Sequence, residues 1–244
     1  MCGPWRASSR MVDMRRSVPV VVAVLVVAFV VAALAWVSAE SLRDTESTLI
    51  AADASPSAPL RVAVVGDSLS AGHSRFLGNG FDEDSWMTYA VRDGIQFAGG
   101  WARAGATPEQ MADAVRPVER VDVLVVLAGT NAVLHGETVA DTADSYDRIA
   151  EVIHPDRVLV AAIPPYRAHA AEAIAYNRDL RVLTRERGWT WVDPWTAARD
   201  GDAWAPGFSA DGIHPAGPQQ YAVLGHAFRQ LILEHRPSTA LADS

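Results

Sequence analysis

Lysine is absent from this chain: all 21 basic side chains are arginine. Lysine is ordinarily among the common residues, so its absence points to a GC-rich coding bias more readily than to chemistry. Cysteine is nearly absent too, with Cys2 the single example. No intramolecular disulfide can form, and a thiol nucleophile or cysteine-based metal site is excluded for the main part of the chain. The histidines show no HxxxH or HxH pairing, so no catalytic metal is expected. Positive charge is scarce. The formal net charge is −8, and residues 1–59 balance five arginines against five acids, so the whole excess lies in residues 60–244. No basic face that could neutralise many phosphates is apparent, which argues against nucleic acid as a partner. No internal repeat is visible. With 244 residues, half of them hydrophobic, the chain can hold one large domain, or one domain with appendages, around a real core.

Charge is missing altogether from Ser17 to Ala39, 23 residues centred on VPVVVAVLVVAFVVAALAWV. A helix needs roughly 20 apolar residues to cross a bilayer. Arg15 and Arg16 precede the segment, and Glu40, Asp44 and Glu46 follow it. The positive-inside bias then puts the N-terminus in the cytoplasm and the remainder outside. A cleaved signal peptide, with Val37-Ser38-Ala39 as the small-residue site, is the competing reading; the apolar stretch is longer than a usual signal core, which favours an anchor. Either way the rest of the protein is exported, membrane-anchored or secreted. The expected organisation is a stub and anchor or signal over 1–39, a Ser/Pro/Ala-rich linker over 40–59, the main domain over 60–236 and a tail over 237–244.

From Leu60 onward strands and helices alternate. Short apolar runs at Arg61–Val65, Ile95–Ala98, Val121–Ala128, Arg157–Ile163 and Trp189–Val192 read as buried strands. Between them lie helical patterns at Ser85–Val91, from Thr107 to about Arg116, over Val139–Ile153, from Ala173 to near Gly188 and, last, through Tyr221, Leu224, Phe228, Leu231 and Ile232. Thr107-Pro108-Glu109-Gln110 is a helix start, with a Thr cap, Pro first and Gln third. This alternation is the signature of a parallel sheet with helices on both faces.

Ligands of such sheets bind beyond the carboxyl ends of the strands. There the chain places Ser68, in Gly66-Asp67-Ser68-Leu69; Gly105; Asn131, in Gly129-Thr130-Asn131; and Asp211 with His214, in Asp211-Gly212-Ile213-His214-Pro215. Acyl transfer needs these types of group. A serine hydroxyl needs a base such as histidine, which in turn needs a carboxylate to set its tautomer. A spacing of three on a turn can bring Asp211 to Nδ1 of His214 and leave Nε2 facing Ser68. The backbone N–H groups of Ser68 and Gly105 and the side-chain amide of Asn131 are suitable oxyanion donors. Gly105 has no Cβ to keep a substrate from its backbone.

In this order the four blocks resemble those of the SGNH (GDSL-type) hydrolases, over most of residues 60–235. The resemblance implies a flavodoxin-like α/β fold, a three-layer sandwich around a five-stranded parallel sheet of order 2-1-3-4-5. It also implies a Ser-His-Asp triad and hydrolysis of a lipid ester, thioester or sugar O-acyl group without a cofactor. An acyltransferase on an envelope glycan or lipid would use the same groups, and a non-catalytic envelope-binding module is the alternative from another class. Two departures stand out. Asn131 is followed by Ala132 where the family often has Asp, and Gly100 stands where the second block often opens with Asn. Trp86 and Tyr176-Asn177-x-x-Leu180 also resemble family features and are read as packing or helix–loop positions.

Outside the blocks, Asp67 is expected to brace the nucleophile turn. His73 and His135 read as surface-loop histidines, and Asp82-Glu83-Asp84 as a solvated loop without the spacing of a calcium site. The loops Gly72–Ser85 and Gly201–Ala210 are expected to shape the substrate site, with Trp204 and Phe208 as an apolar or sugar-stacking wall.

Overall fold

The computed structural model describes residues 58–73 and 81–237. The uncharged segment 17–39 and nearly all of the 40–59 linker and the 237–244 tail lie outside them. Among the described residues no helix is long and apolar enough to cross a membrane.

Five strands, β1 (Leu60–Gly66), β2 (Ile95–Ala102), β3 (Val123–Leu127), β4 (Arg157–Ala161) and β5 (Thr190–Val192), form one sheet in the order β2-β1-β3-β4-β5, every pair parallel. This is the expected order. Among the described residues seven α-helices accompany them: α1 (Ser68–Ala71), α2 (Met87–Ala90), α3 (Pro108–Ala114), α4 (Thr130–Leu134), α5 (Val139–Ile153), α6 (Ala170–Glu186) and α7 (Pro218–Glu234). The period of two along a strand divides the core. Val62 and Val64 face one cluster with Trp86, Leu224 and Phe228 from α7 and the start of α2. Ala63 and Val65 face the other, with Met111, Tyr146, Ile149 and Leu180 from α3, α5 and α6. Helices therefore cover both faces, and a strand buried on both sides must be apolar throughout, as β1 and β3 are. Trp86 stacks on Phe228 at 4.0 Å between ring centroids and donates its indole N–H to Ser70 Oγ at 3.0 Å, which ties the first helical layer to the turn after β1.

Three local expectations are corrected. Strand β2 does not stop at Ala98 but runs to Ala102, because its pairing with β1 shifts register between Val62 and Ala63 and resumes at Gly99. Gly100 lies so close to β1 that a Cβ there would sit 1.9 Å from the Val64 carbonyl oxygen. The glycine pair that reads as a loop marks a close backbone approach inside the sheet. The helix expected over Ser85–Val91 is the single turn α2. Part of the 201–210 loop pairs instead in a small antiparallel hairpin, β6 (Arg199–Asp200) with β7 (Ala203–Trp204). The capping box at Thr107 and Gln110 forms as expected, with Pro108 opening α3.

Candidate active site

Strand β1 ends at Gly66, and the chain turns at once into α1. A Cβ on Gly66 would meet Ser70 Oγ at 2.5 Å and the Leu127 carbonyl oxygen at 3.1 Å, so only glycine permits so tight a turn beside β3. Asp67 caps α1, its Oδ1 accepting from the Leu69 N–H at 3.0 Å. Ser68 follows at the first helical position, beyond the strand end.

Ser68 Oγ lies 2.8 Å from His214 Nε2, and His214 Nδ1 lies 2.7 Å from Asp211 Oδ2. The other Asp211 oxygen accepts the backbone N–H groups of Ile213 and His214, each at 2.8 Å. Burial, which alone would raise the Asp211 pKa, is outweighed by the His214 backbone N–H, its imidazole and the Ile213 N–H, and the carboxyl falls to about 2. Asp211 is thus ionised across the neutral range, and a proton on Nδ1 of His214 points at it. That tautomer leaves Nε2 as the acceptor for the Ser68 hydroxyl. These three side chains line a groove of about 410 Å³ together with His73, Asp84, Ala104 and Tyr221.

Of the oxyanion candidates, the N–H groups of Ser68 and Gly105 have no acceptor among the described residues. The reason for glycine at 105 differs from the one expected. A Cβ would touch nothing within 4 Å, and the need comes from the backbone φ of +76°. Asn131, in the first turn of α4, donates its Nδ2 to the Ala106 carbonyl at 3.0 Å and faces Asp67 Oδ2 at 3.5 Å. All the residues singled out for the site therefore stand at the carboxyl edge of the sheet or on loops meeting it. His214 contacts both Ser68 and Asp211, and Asn131 reaches the Ser68 turn through Asp67.

Three features escape the sequence pattern. Asp67 is completely buried, and burial lifts its carboxyl to about 6 against the opposing pull of the Leu69 N–H and the His214 charge. Its type and place are visible in the sequence, but its burial is not. Arg167, after β4, holds the loop that carries Asp211: its backbone N–H donates to the Gly212 carbonyl at 3.0 Å, and its guanidinium to the Ser209 and Ala210 carbonyls at 3.3 Å. No sequence signal marks it. His73 is more than a surface-loop histidine, since it sits on the groove rim with Nδ1 3.1 Å from Asp84 and 3.4 Å from Asp82. These three side chains have ligand-type atoms within 4.8 Å of one another, the grouping among the described residues that could hold a cation, although His73 is 78% exposed.

The expected aromatic wall is displaced. Trp204 stacks on Phe208 and meets Trp195 edge-on, and neither Trp204 nor Phe208 lines the groove of Ser68, Asp211 and His214. Trp204 borders a separate cleft of about 390 Å³ beside Tyr166 and Arg167. Asn177 plays the helix–loop part expected of it, bonding both the N–H and the carbonyl of Ile163 at 2.8 and 3.0 Å.

Comparison with known proteins now decides the family. The GDSL-like Lipase/Acylhydrolase family matches residues 64–218. The chain belongs to this family. Its activity is accordingly that of an ester hydrolase. Solved structures share the fold at low identity. A protein described as lipolytic, of the G-D-S-L family, from Desulfitobacterium hafniense is 15% identical with a TM-score of 0.56, covering 70% of this chain and 99% of that one. A member of the lipolytic protein G-D-S-L family from Veillonella parvula is 16% identical at 0.55, covering 71% and 98%. A GDSL-like lipase from Bacteroides thetaiotaomicron is 18% identical at 0.51, covering 78% and 97%. Among curated proteins none matches this sequence.

Proposed function

We propose that this GDSL-family hydrolase cleaves carboxylic esters with Ser68 as nucleophile, His214 as general base and acid, and Asp211 as the group that orients and charges His214. The observation that carries this reading is the unbroken chain of contacts from Ser68 Oγ to His214 Nε2 at 2.8 Å and from His214 Nδ1 to Asp211 at 2.7 Å. As Ser68 Oγ bonds to the acyl carbon, its proton passes to Nε2, and the imidazolium is stabilised by the ionised Asp211. The carbonyl oxygen takes up negative charge, and the N–H groups of Ser68 and Gly105, with the Asn131 amide, are assigned to it as donors. The imidazolium returns its proton to the leaving alcohol. Water then adds to the acyl-enzyme, giving its proton to the same Nε2 and releasing the acid. The His214 and Asp211 side chains are 34% and 52% exposed, so water reaches the base, which favours hydrolysis over transfer to another acceptor. The acyl group can come from a lipid ester, a thioester or a sugar O-acyl substrate. The uncharged run 17–39 between arginines and acids supports a reading in which this chemistry takes place outside the cytoplasm, tethered or secreted.

The test is hydrolysis of p-nitrophenyl acetate by purified protein. Ser68→Ala and His214→Ala should each lower turnover about 10⁴-fold or more, since triad members act as a unit. Retention of wild-type turnover by both variants would overturn the mechanism.

A further inference from the structure

We propose that Tyr221 is a substrate-binding residue: its phenol hydroxyl meets a hydroxyl of the leaving alcohol, so that the groove takes a short acyl ester of a neutral, hydroxyl-bearing alcohol, a sugar. The proposal rests on the serine-nucleophile reading above and narrows its three substrate classes to one.

Tyr221 stands in the first turn of α7 and lines the same groove as Ser68 and His214. It is only 3% exposed, and it belongs to the core cluster of Trp86 and Phe228. Its hydroxyl makes no hydrogen bond among the described residues, and the phenol opens on the groove. A hydroxyl that is buried without a partner costs stability. Packing alone would be served as well by phenylalanine, so the fold has no use for this O–H. Burial, then the charges of Asp84, Asp67 and Asp211, push the phenol well above its ordinary range. It therefore stays neutral, able both to donate and to accept. The protein supplies no partner, and the side chain borders the nucleophile; the partner arrives with the substrate.

The rest of the groove selects the kind of alcohol. Among the described residues its apolar wall is Ala104, Ala210, Pro215 and Ala216 with glycine backbone. A lipid chain gains affinity with each methylene it buries, and these small side chains offer little area for one. The acids of the groove are Asp84 and Asp211, and no arginine among the described residues lines it. Asp84 Oδ2 lies 3.1 Å from His73 Nδ1, and its Oδ1 is buried without a partner. Such carboxylates repel a phosphate-bearing thioester or lipid headgroup. A quaternary ammonium would suit them, but it cannot accept a hydrogen bond and would leave the Tyr221 O–H unmet. A sugar hydroxyl donates and accepts, so it serves the Tyr221 hydroxyl whichever way that group turns. A volume of about 410 Å³ is at the small end for ligand sites, which suits an acetylated monosaccharide better than a long acyl chain.

The experiment measures kcat/KM of the full chain for four acetyl donors: 6-O-acetylglucose, ethyl acetate, acetylcholine and acetyl-coenzyme A. Ethyl acetate offers the same acyl group on a primary alcohol without further hydroxyls. Wild type should prefer 6-O-acetylglucose to ethyl acetate by about tenfold, the worth of one good hydrogen bond. It should also prefer it to acetylcholine and acetyl-coenzyme A. Tyr221→Phe should cut the ratio of acetylglucose to ethyl acetate by about tenfold, through KM more than kcat, because the contact is made in the ground state as well. The thermal midpoint of Tyr221→Phe should match wild type, since its hydroxyl bonds to nothing in the fold. A ratio in Tyr221→Phe within about twofold of wild type, or an equal loss on both esters, would overturn the proposal. So would a wild-type preference for ethyl acetate, acetylcholine or acetyl-coenzyme A. With Ser68→Ala inactive on all four donors, such a result removes the assignment of Tyr221 alone; with Ser68→Ala as active as wild type, the underlying mechanism fails instead.

Discussion

Replacing Asp67 by asparagine should make the protein more stable at neutral pH. The perturbation removes one ionisable group and keeps the side chain's shape and its acceptor for the Leu69 N–H. Folding raises the Asp67 pKa from 3.8 to about 6, chiefly through burial. An acid whose pKa is higher when folded binds protons more tightly in the native state. Its contribution to stability is therefore fully present below pH 3.8 and is lost as pH rises through about 6. The shift of about 2 units, at 1.36 kcal/mol each, corresponds to roughly 3 kcal/mol by pH 7.5. Asparagine cannot incur that loss. Wild type and variant should therefore unfold at similar temperatures near pH 4, and the variant should gain as pH rises, by roughly 6–12 °C at pH 7.5 for a domain of this size. Thermal unfolding followed by circular dichroism at half-unit pH intervals reads the difference, and groups common to both proteins cancel. A gap that stays constant from pH 4 to 7.5 would refute the reasoning, because the buried carboxylate would then titrate alike in the folded and unfolded chains.

Two further outcomes are expected elsewhere. Gly100→Ala should destabilise the fold by about 2–6 kcal/mol, the sum of one overpacking and one backbone-strain cost, since the added methyl would meet the Val64 carbonyl at 1.9 Å and φ is +133°. A urea midpoint indistinguishable from wild type would show that β2 does not run through this register. For the exported placement, external protease should degrade the hydrolase domain in intact spheroplasts of the expressing cell, and protection until lysis would contradict it.

Much of the candidate site was legible before the fold, for identifiable reasons. Ser68, Asn131 and the Asp211/His214 pair stand where apolar strand runs break or on short turns, and both signals are written in neighbouring residues. The strand order came with the family resemblance and is borne out by the pairing of β1 with both β2 and β3. The register slip that extends β2 was not readable, because Gly99-Gly100 looks like a loop until β1 lies against it. Nor was the displacement of Trp204 readable, since its stacking on Phe208 and Trp195 depends on how the β6–β7 hairpin folds back. The clasp of Arg167 on the loop of Ser209 and Ala210 joins residues more than 40 positions apart.

By itself, the sequence determined the types of group available and the local turns that present them: a serine after a glycine-ended strand, a histidine three residues beyond an aspartate. The tertiary structure alone decided their environments. It left Asp211 half exposed and strongly acidic, and enclosed Asp67 so fully that its carboxyl rises to about 6. The two aspartates are chemically identical side chains. Solvent exclusion and the donors each one faces separate their roles, and both are products of segments meeting from distant parts of the chain.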